Sequence, residues 1–245
     1  PMVRHAKEMV AQGELGEIRV VQVEYAQDWL SDDLESTGQK QAGWRTDPER
    51  SGAGGSTGDI GTHAFNLAGF VTGLTLETLA ADLQCFVEGR RVDDNGHVML
   101  RYEGGARGML WCSQVAPGNE NALRLRVYGT KGGLEWAQED PNYLWHTPLG
   151  EPKRLITRGG AGSGEAAGRM TRIPPGHPEG YLEGFANIYS EAARAIRAAQ
   201  AGTSAPDAVF PTVQDGFAGV AFVDACVRSS ARNGAWVSPA SLVTT

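Results

Sequence analysis

The sequence predicts an α+β fold, with a large open antiparallel β-sheet, mostly a meander, and helices packed on one face. Three observations support it. From Leu76 onward the chain reads as short alternating strands separated by turn signals. Gly104-Gly105 divides the run Val98 to Tyr102 from the run that starts at Ala106, and Lys131-Gly132-Gly133 divides Leu123 to Tyr128 from Leu134 to Trp136. In Leu123-Arg124-Leu125-Arg126-Val127-Tyr128 the alternation is strict, so the apolar residues face a helical layer and the arginines face solvent or a second subunit. Apolar residues at helical spacing flank these strands at both ends of the chain.

Pro1 to Val10 reads as helix, with Met2, Ala6, Met9 and Val10 on one side and Gly13 as its stop signal. No capping residue stands ahead of it, which suggests that something upstream is missing. Ile18 to Trp29 alternates as a long strand with Val21, Val23, Tyr25, Gln27 and Trp29 on one side. Residues 31–57 form a polar loop, and a loop of that length in a compact domain is usually functional. A helix follows, with Ile60, Ala64, Leu67 and Val71 on its apolar side. Residues 158–177, rich in Gly, Arg and Pro, read as a mobile or ligand-covering loop. Two helices close the chain. Tyr181 to Ala201 carries Phe185, Ile188, Ala192 and Ile196 at helical spacing, and Val213 to Ala231 carries Val220, Val223 and Val227. With no internal repeat and no linker, residues 1–245 are read as a single domain.

Charge and cysteine usage narrow the function. Lys plus Arg total 22 against 29 for Asp plus Glu, a net charge of −7, which gives no footprint for nucleic acid or an anionic membrane. Small molecules are the expected partners. No apolar run approaches the length of a membrane span and the start lacks a secretory signal, so a cytoplasmic location is expected. Cys85, Cys112 and Cys226 lie far apart without CxxC pairing and are read as buried thiols. His5, His97 and His146 are read as surface or turn residues.

The chemistry concentrates in Gly58-Asp59-Ile60-Gly61-Thr62-His63-Ala64-Phe65-Asn66. Side chains at i and i+4 of a helix are neighbours, so Asp59 is placed to orient His63 and tune its charge, and Asn66 extends the same polar edge. The same pattern also suits an N-terminal helix charge followed by a packed core histidine. No metal site is assigned, because a third ligand at recognisable spacing is missing. Trp44 and Arg45 offer a flat face and a fork of donors for a sugar or nicotinamide ring and its oxygens, or they anchor the loop. His177 and Tyr181 flank a helix start where substrate contact and structural capping are both open readings. Gly162-Ser163-Gly164-Glu165-Ala166-Ala167 has GxGxxA spacing, but no helix or second strand is read after it, so no Rossmann unit is assigned. The glycines of residues 52–58 are assigned to tight turning or close backbone approach to a ligand.

Taken in order, Gly13-Glu14-Leu15-Gly16-Glu17-Ile18, Trp44-Arg45, Gly58-Asp59-Ile60-Gly61-Thr62-His63, Val127-Tyr128-Gly129-Thr130-Lys131-Gly132 and Phe185 resemble the C-terminal domain of the glucose-fructose oxidoreductase, inositol dehydrogenase and MocA family. The resemblance covers nearly the whole chain. It implies the open-sheet fold and a partner N-terminal Rossmann domain that binds NAD or NADP and is absent from this chain, together with that domain's catalytic Lys. It also implies a sugar or polyol substrate oxidised by hydride transfer. Asp59 and His63 match the family's catalytic Asp and His, and Trp44 and Arg45 match loop residues near substrate and nicotinamide. By the same resemblance the chain alone is inactive, and a homodimer or homotetramer forms through the open sheet face. The contrasting reading is a non-catalytic oligomerising or sugar-binding module descended from that family.

Overall fold

The computed structural model describes residues 1–239. Helix α1 (Met2–Ala11) buries Met2, Ala6 and Met9 as expected. The chain then turns through Gly16, whose φ is +70° and where a Cβ would lie 2.2 Å from the Thr130 hydroxyl, so only glycine fits. Strand β1 (Ile18–Ala26) follows. The segment read as loop holds two short helices, α2 (Lys40–Arg45) and α3 (Pro48–Ser51), whose first turns are capped by the side chains of Gln39 and Asp47. One π turn, Thr57–Gly61, then runs directly into α4 (Thr62–Thr72).

The remaining strands are β2 (Leu76–Gln84), β3 (Asn95–Tyr102), β4 (Arg107–Ser113), β5 (Ala122–Gly129), β6 (Gly132–Ala137), β7 (Tyr143–Pro148) and β8 (Arg154–Thr157). Both glycine-marked hairpins, β3–β4 and β5–β6, form as read. The sheet runs β2-β3-β4-β1-β5-β6-β7-β8. β1 is inserted between β4 and β5, parallel to β4 and antiparallel to β5, and splits the expected meander in two. Alternation reveals which face of a strand is buried, but it carries no information about which strand lies beside it.

Helices α1, α4 and α7 (Val213–Ser230) cover one face of this sheet. Val21, Val23, Leu100, Leu110, Leu125, Val127, Leu134 and Leu144 point into that layer and are nearly inaccessible. Ile60, Ala64, Leu67 and Val71 meet them, and Phe65 stacks on Phe222 at 4.5 Å. The stripe read on α7 is displaced: Val220 is 71% exposed, and the inner face is Ala221, Phe222, Ala225, Cys226 and Ser229. Ala221, Ala225 and Ser229 on this face let α7 approach edge strand β2, where the Ser229 hydroxyl accepts the Ala81 N–H at 2.8 Å and Ser230 accepts that of Leu83 at 3.1 Å. Capping the edge in this way blocks strand addition.

Several other expectations change. His5 and His146 are buried, because His5 shares the inner face of α1 with Met2 and Met9, and His146 points inward in step with Leu144. Burial pushes the His146 imidazole below its ordinary value. His97 is exposed, but on β3. Cys112 and Cys226 are buried, and burial raises the Cys112 thiol to about 12. Cys85 lies just beyond β2 and is exposed.

Residues 158–177 include a short helix, α5 (Glu165–Met170), and are pinned from within. Buried Arg158 donates to Asn142 Oδ1 at 2.8 Å, to the carbonyls of Ile173, Pro174 and His177, and to Glu179 Oε1 at 3.2 Å. The same Glu179 oxygen accepts the N–H groups of Arg172 and Ile173. The segment is anchored, which corrects the mobile reading. Because both side chains are 2% exposed, Glu179→Ala strands a buried guanidinium and is expected to cost about 3–5 kcal/mol, measured by urea unfolding.

Candidate functional site

The start of α4 is fixed from below by the buried carboxylate of Asp93. Its Oδ1 accepts the Gly55 N–H at 2.7 Å, and its Oδ2 accepts the Thr57 N–H and the hydroxyls of Ser56 and Thr57, each at 2.8 Å. Gly55 is required for this contact, since a Cβ there would sit 2.0 Å from the Asp93 carbonyl oxygen. The glycine run thus serves a close approach of two backbone segments of this protein.

Asp59 lies inside the π turn, where one extra residue per turn shifts the side chains that follow relative to an α-helix. Its Oδ2 accepts from Arg45 Nε at 3.0 Å and from Gln114 Nε2 at 2.8 Å. Among the described residues it makes no hydrogen bond to His63, so the expected orienting contact is not formed; the carboxylate is held by Arg45 and Gln114 instead. Arg45 also donates through Nη1 to Gln41, and its Cζ lies 4.5 Å from the centre of the Trp44 ring and 5.9 Å from that of Trp29.

His63 is exposed, and its ring meets Tyr25 edge-on with centroids 6.0 Å apart. The Tyr25 hydroxyl donates to Asn121 Oδ1 at 2.5 Å and accepts from Gln138 at 3.3 Å. Asn121 Oδ1 also accepts from Gln27 at 3.1 Å, and Gln27 accepts from the Trp29 indole at 3.1 Å. Burial is the main cause that raises the Tyr25 hydroxyl above its ordinary value; the Gln138 hydrogen bond opposes it, and Asp59, Glu139 and Tyr181 reinforce it. Tyr25 therefore stays protonated near neutral pH.

Trp44, Arg45, Asp59 and His63 are joined through these contacts into one rim along the ends of β1, β4 and β5. Tyr181 is 76% exposed at the head of α6 (Tyr181–Gln200), where its ring packs on Phe185 with centroids 4.9 Å apart. His177 is exposed and participates through its backbone carbonyl, which serves Arg158. Sequence reasoning missed Tyr25, Gln27 and Trp29 as site residues although it placed them on one side of β1. The signal was that this side turns from valines to hydrogen-bonding side chains as the strand leaves the core. Gln114, Asn121 and Gln138 carry no local signal, because each comes from just beyond the end of a different strand.

An open, mostly antiparallel sheet backed by helices, with a polar and aromatic rim at the head of α4, is the arrangement to compare with known proteins. A family model described as the GFO/IDH/MocA C-terminal domain matches residues 3–135, and the chain belongs to that family. It is 31% identical over 240 residues to an uncharacterised oxidoreductase, YfiI, of Bacillus subtilis, covering 96% of this chain and 61% of the relative. An oxidoreductase from Sinorhizobium meliloti superimposes with a TM-score of 0.86 at 60% identity, over 97% of this chain and 61% of that one. An inositol dehydrogenase homologue from Azotobacter vinelandii, solved with NADH and myo-inositol, gives 0.87 at 34% identity over 97% of this chain and 61% of its own. The chain thus spans about three fifths of the length of these relatives.

The integrity of the rim depends on Asp93. Asp93→Ala leaves two buried N–H groups and two hydroxyls without their acceptor, and is expected to lower stability by at least about 2 kcal/mol in urea titration.

Proposed function

We propose that this chain is the substrate-binding and catalytic part of an NAD(P)-dependent oxidoreductase acting on a sugar, polyol or related hydroxyl or carbonyl compound. The observation that carries the reading is the convergence of an exposed imidazole, a fixed carboxylate, a guanidinium and a protonated phenol on one rim with aromatic walls. Oxidising an alcohol requires its proton to leave as hydride departs, and an imidazole near neutrality serves that transfer. His63 takes the proton from the substrate hydroxyl, or returns it in the reverse direction. Asp59, held in place by Arg45 and Gln114, fixes a carboxylate on the same rim. Tyr25, fixed by Asn121 and Gln138, stands against the ring and limits its orientations.

NAD or NADP, when bound, supplies the hydride acceptor or donor. Trp44 and Arg45 suit its nicotinamide end: one offers a flat face, and the other a guanidinium whose Nη2 donates to no described residue. The Gly162–Ala167 run enters only the six-residue α5, so the main dinucleotide grip is assigned to a domain other than this one. The relative solved with NADH and myo-inositol supports both cofactor and substrate class.

Association through the open sheet face belongs to the same reading. Val20, Met99, Met109, Tyr128, Trp145 and Leu155 are exposed across it, and Arg124 and Arg126 pair with Glu24 between them.

In the full polypeptide encoded by the gene, His63→Ala is expected to lower kcat by about 10²–10⁴-fold with the fold retained. Unchanged turnover in steady-state assays would remove His63 from the chemistry. Met109→Asp is expected to shift sedimentation equilibrium toward the monomer, and an unchanged oligomer places the contact elsewhere.

A further inference from the structure

Helix α5 has no cap of its own, because its N-cap residue, Gly164, brings no side chain. The cap comes from α1. His5 Nδ1 accepts the Gly164 N–H at 3.2 Å, and Glu8 Oε2 accepts the Ala166 N–H at 3.3 Å. A Cβ on Gly164 would lie 2.9 Å from His5 Nδ1, so this glycine of the GxGxxA run serves an internal close approach. The two capping atoms, His5 Nδ1 and Glu8 Oε2, are themselves 3.8 Å apart. A ring nitrogen that accepts an N–H carries no proton, so the cap exists only while His5 is neutral. Polar atoms around the cap are poorly paired: His5 Nε2 and His146 Nε2, on side chains 6% and 8% exposed, and the Ser163 hydroxyl are buried without a hydrogen-bond partner among the described residues. Each such atom costs free energy in the closed state.

We propose that His5 and Glu8 form an acid-released latch on the segment 158–177. When His5 takes up a proton from solvent, Nδ1 stops accepting the Gly164 N–H and donates to Glu8 Oε2, which draws that oxygen away from Ala166. Both caps of α5 are then exchanged for one ion pair. The titratable and charged groups around this junction are Glu8 on α1, Glu14 in the turn after it, His146 on β7 and Arg154 on β8. Arg4 and Lys7 of α1 turn to the Val209 carbonyl and the Phe70 ring, Arg169 of α5 turns to Glu191, and Glu165 is exposed. Glu135 of β6 pairs with Lys153, and His63 of α4 is exposed. His146 acts in the same direction as His5. Burial holds its imidazole below the ordinary 6.5, so the stability its neutral form lends is present above that value and is lost as the pH falls below it. Release of α5 frees the buried Ala167 and Met170 and slackens the ties of Arg169 to Glu191 and of Asn187 to the Met170 carbonyl, so the loosening reaches α6.

The test follows amide hydrogen exchange in the full polypeptide encoded by the gene at about pH 7.5 and about pH 5.5, on either side of the range in which imidazoles ordinarily titrate, with the intrinsic pH dependence of exchange divided out. Protection of the α5 amides is expected to fall at least about fivefold at the lower pH while β3 amides keep theirs. His5→Asn puts a carbonyl oxygen that takes up no proton in place of Nδ1, and is expected to hold α5 protection level across the range. Glu8→Gln keeps an acceptor for the Ala166 N–H but removes the charge that attracts the protonated ring, and is expected to move the loss to lower pH. Equal protection of α5 at both pH values in the wild-type protein overturns the latch. So does a loss that persists in His5→Asn, because another group then carries it. If His5→Asn does not fold, Glu8→Gln decides: a loss at the wild-type pH in that variant overturns the exchange of partners and the latch with it.

Discussion

The Asp93 carboxylate is the constraint on which the site depends. It gathers the Gly55 and Thr57 N–H groups and the Ser56 and Thr57 hydroxyls into one buried cluster, and so ties the end of the polar loop to the segment before β3. From that point the backbone runs through the π turn into α4, which fixes both where Asp59 leaves the helix and where His63 stands against Tyr25. Hydrogen bonds to a charged acceptor in a low-dielectric setting are stronger and more directional than neutral ones. The rim is exposed, but the cluster beneath it is buried.

A second feature divides labour among side chains that alternate along β1. Val21 and Val23 fill the core, Tyr25 spans core and rim with its ring inside and its hydroxyl among amides, and Gln27 and Trp29, just past the strand's end, belong wholly to the rim. The same strand therefore positions the site by packing at one end and by hydrogen bonding at the other. Aromatic residues with a polar tip suit this transition, because the ring contributes apolar burial while the tip requires a partner.

Much of the architecture is legible in the sequence because it depends on local periodicity. The strict alternation of Leu123 to Tyr128, the glycine-marked hairpins and the helical spacing of Ile60, Ala64, Leu67 and Val71 each report a face that the fold buries. What was not legible depends on partners far apart in the chain. The place of β1 between β4 and β5, the anchoring of residues 158–177 by Arg158 and the pairing of Asp59 with Arg45 and Gln114 all rest on contacts that no spacing rule reaches. His5 and His146 were misplaced for a related reason: residue type suggested the surface, while their position on an inward face decided otherwise. The helical spacing of Phe185, Ile188 and Ile196 is met by α6, yet these residues are exposed, because periodicity reports a helix and not what lies against it.

The insertion of β1 at the centre of the sheet also bears on how the protein is made. β1 pairs with β4 from Val20 opposite Arg107 and with β5 from Ile18 opposite Gly129, so neither edge of this strand finds its neighbour until more than eighty further residues have been synthesised. Until then a strand rich in valine carries two unpaired edges, the condition that favours association between nascent chains. The β2–β3–β4 and β5–β8 units can form from local hairpins, whereas joining them across β1 is a long-range event with a high entropic cost of loop closure. Vectorial synthesis thus leaves assembly of the two half-sheets about β1 as the late step, and the rim that contains His63 comes into existence only when that step is complete.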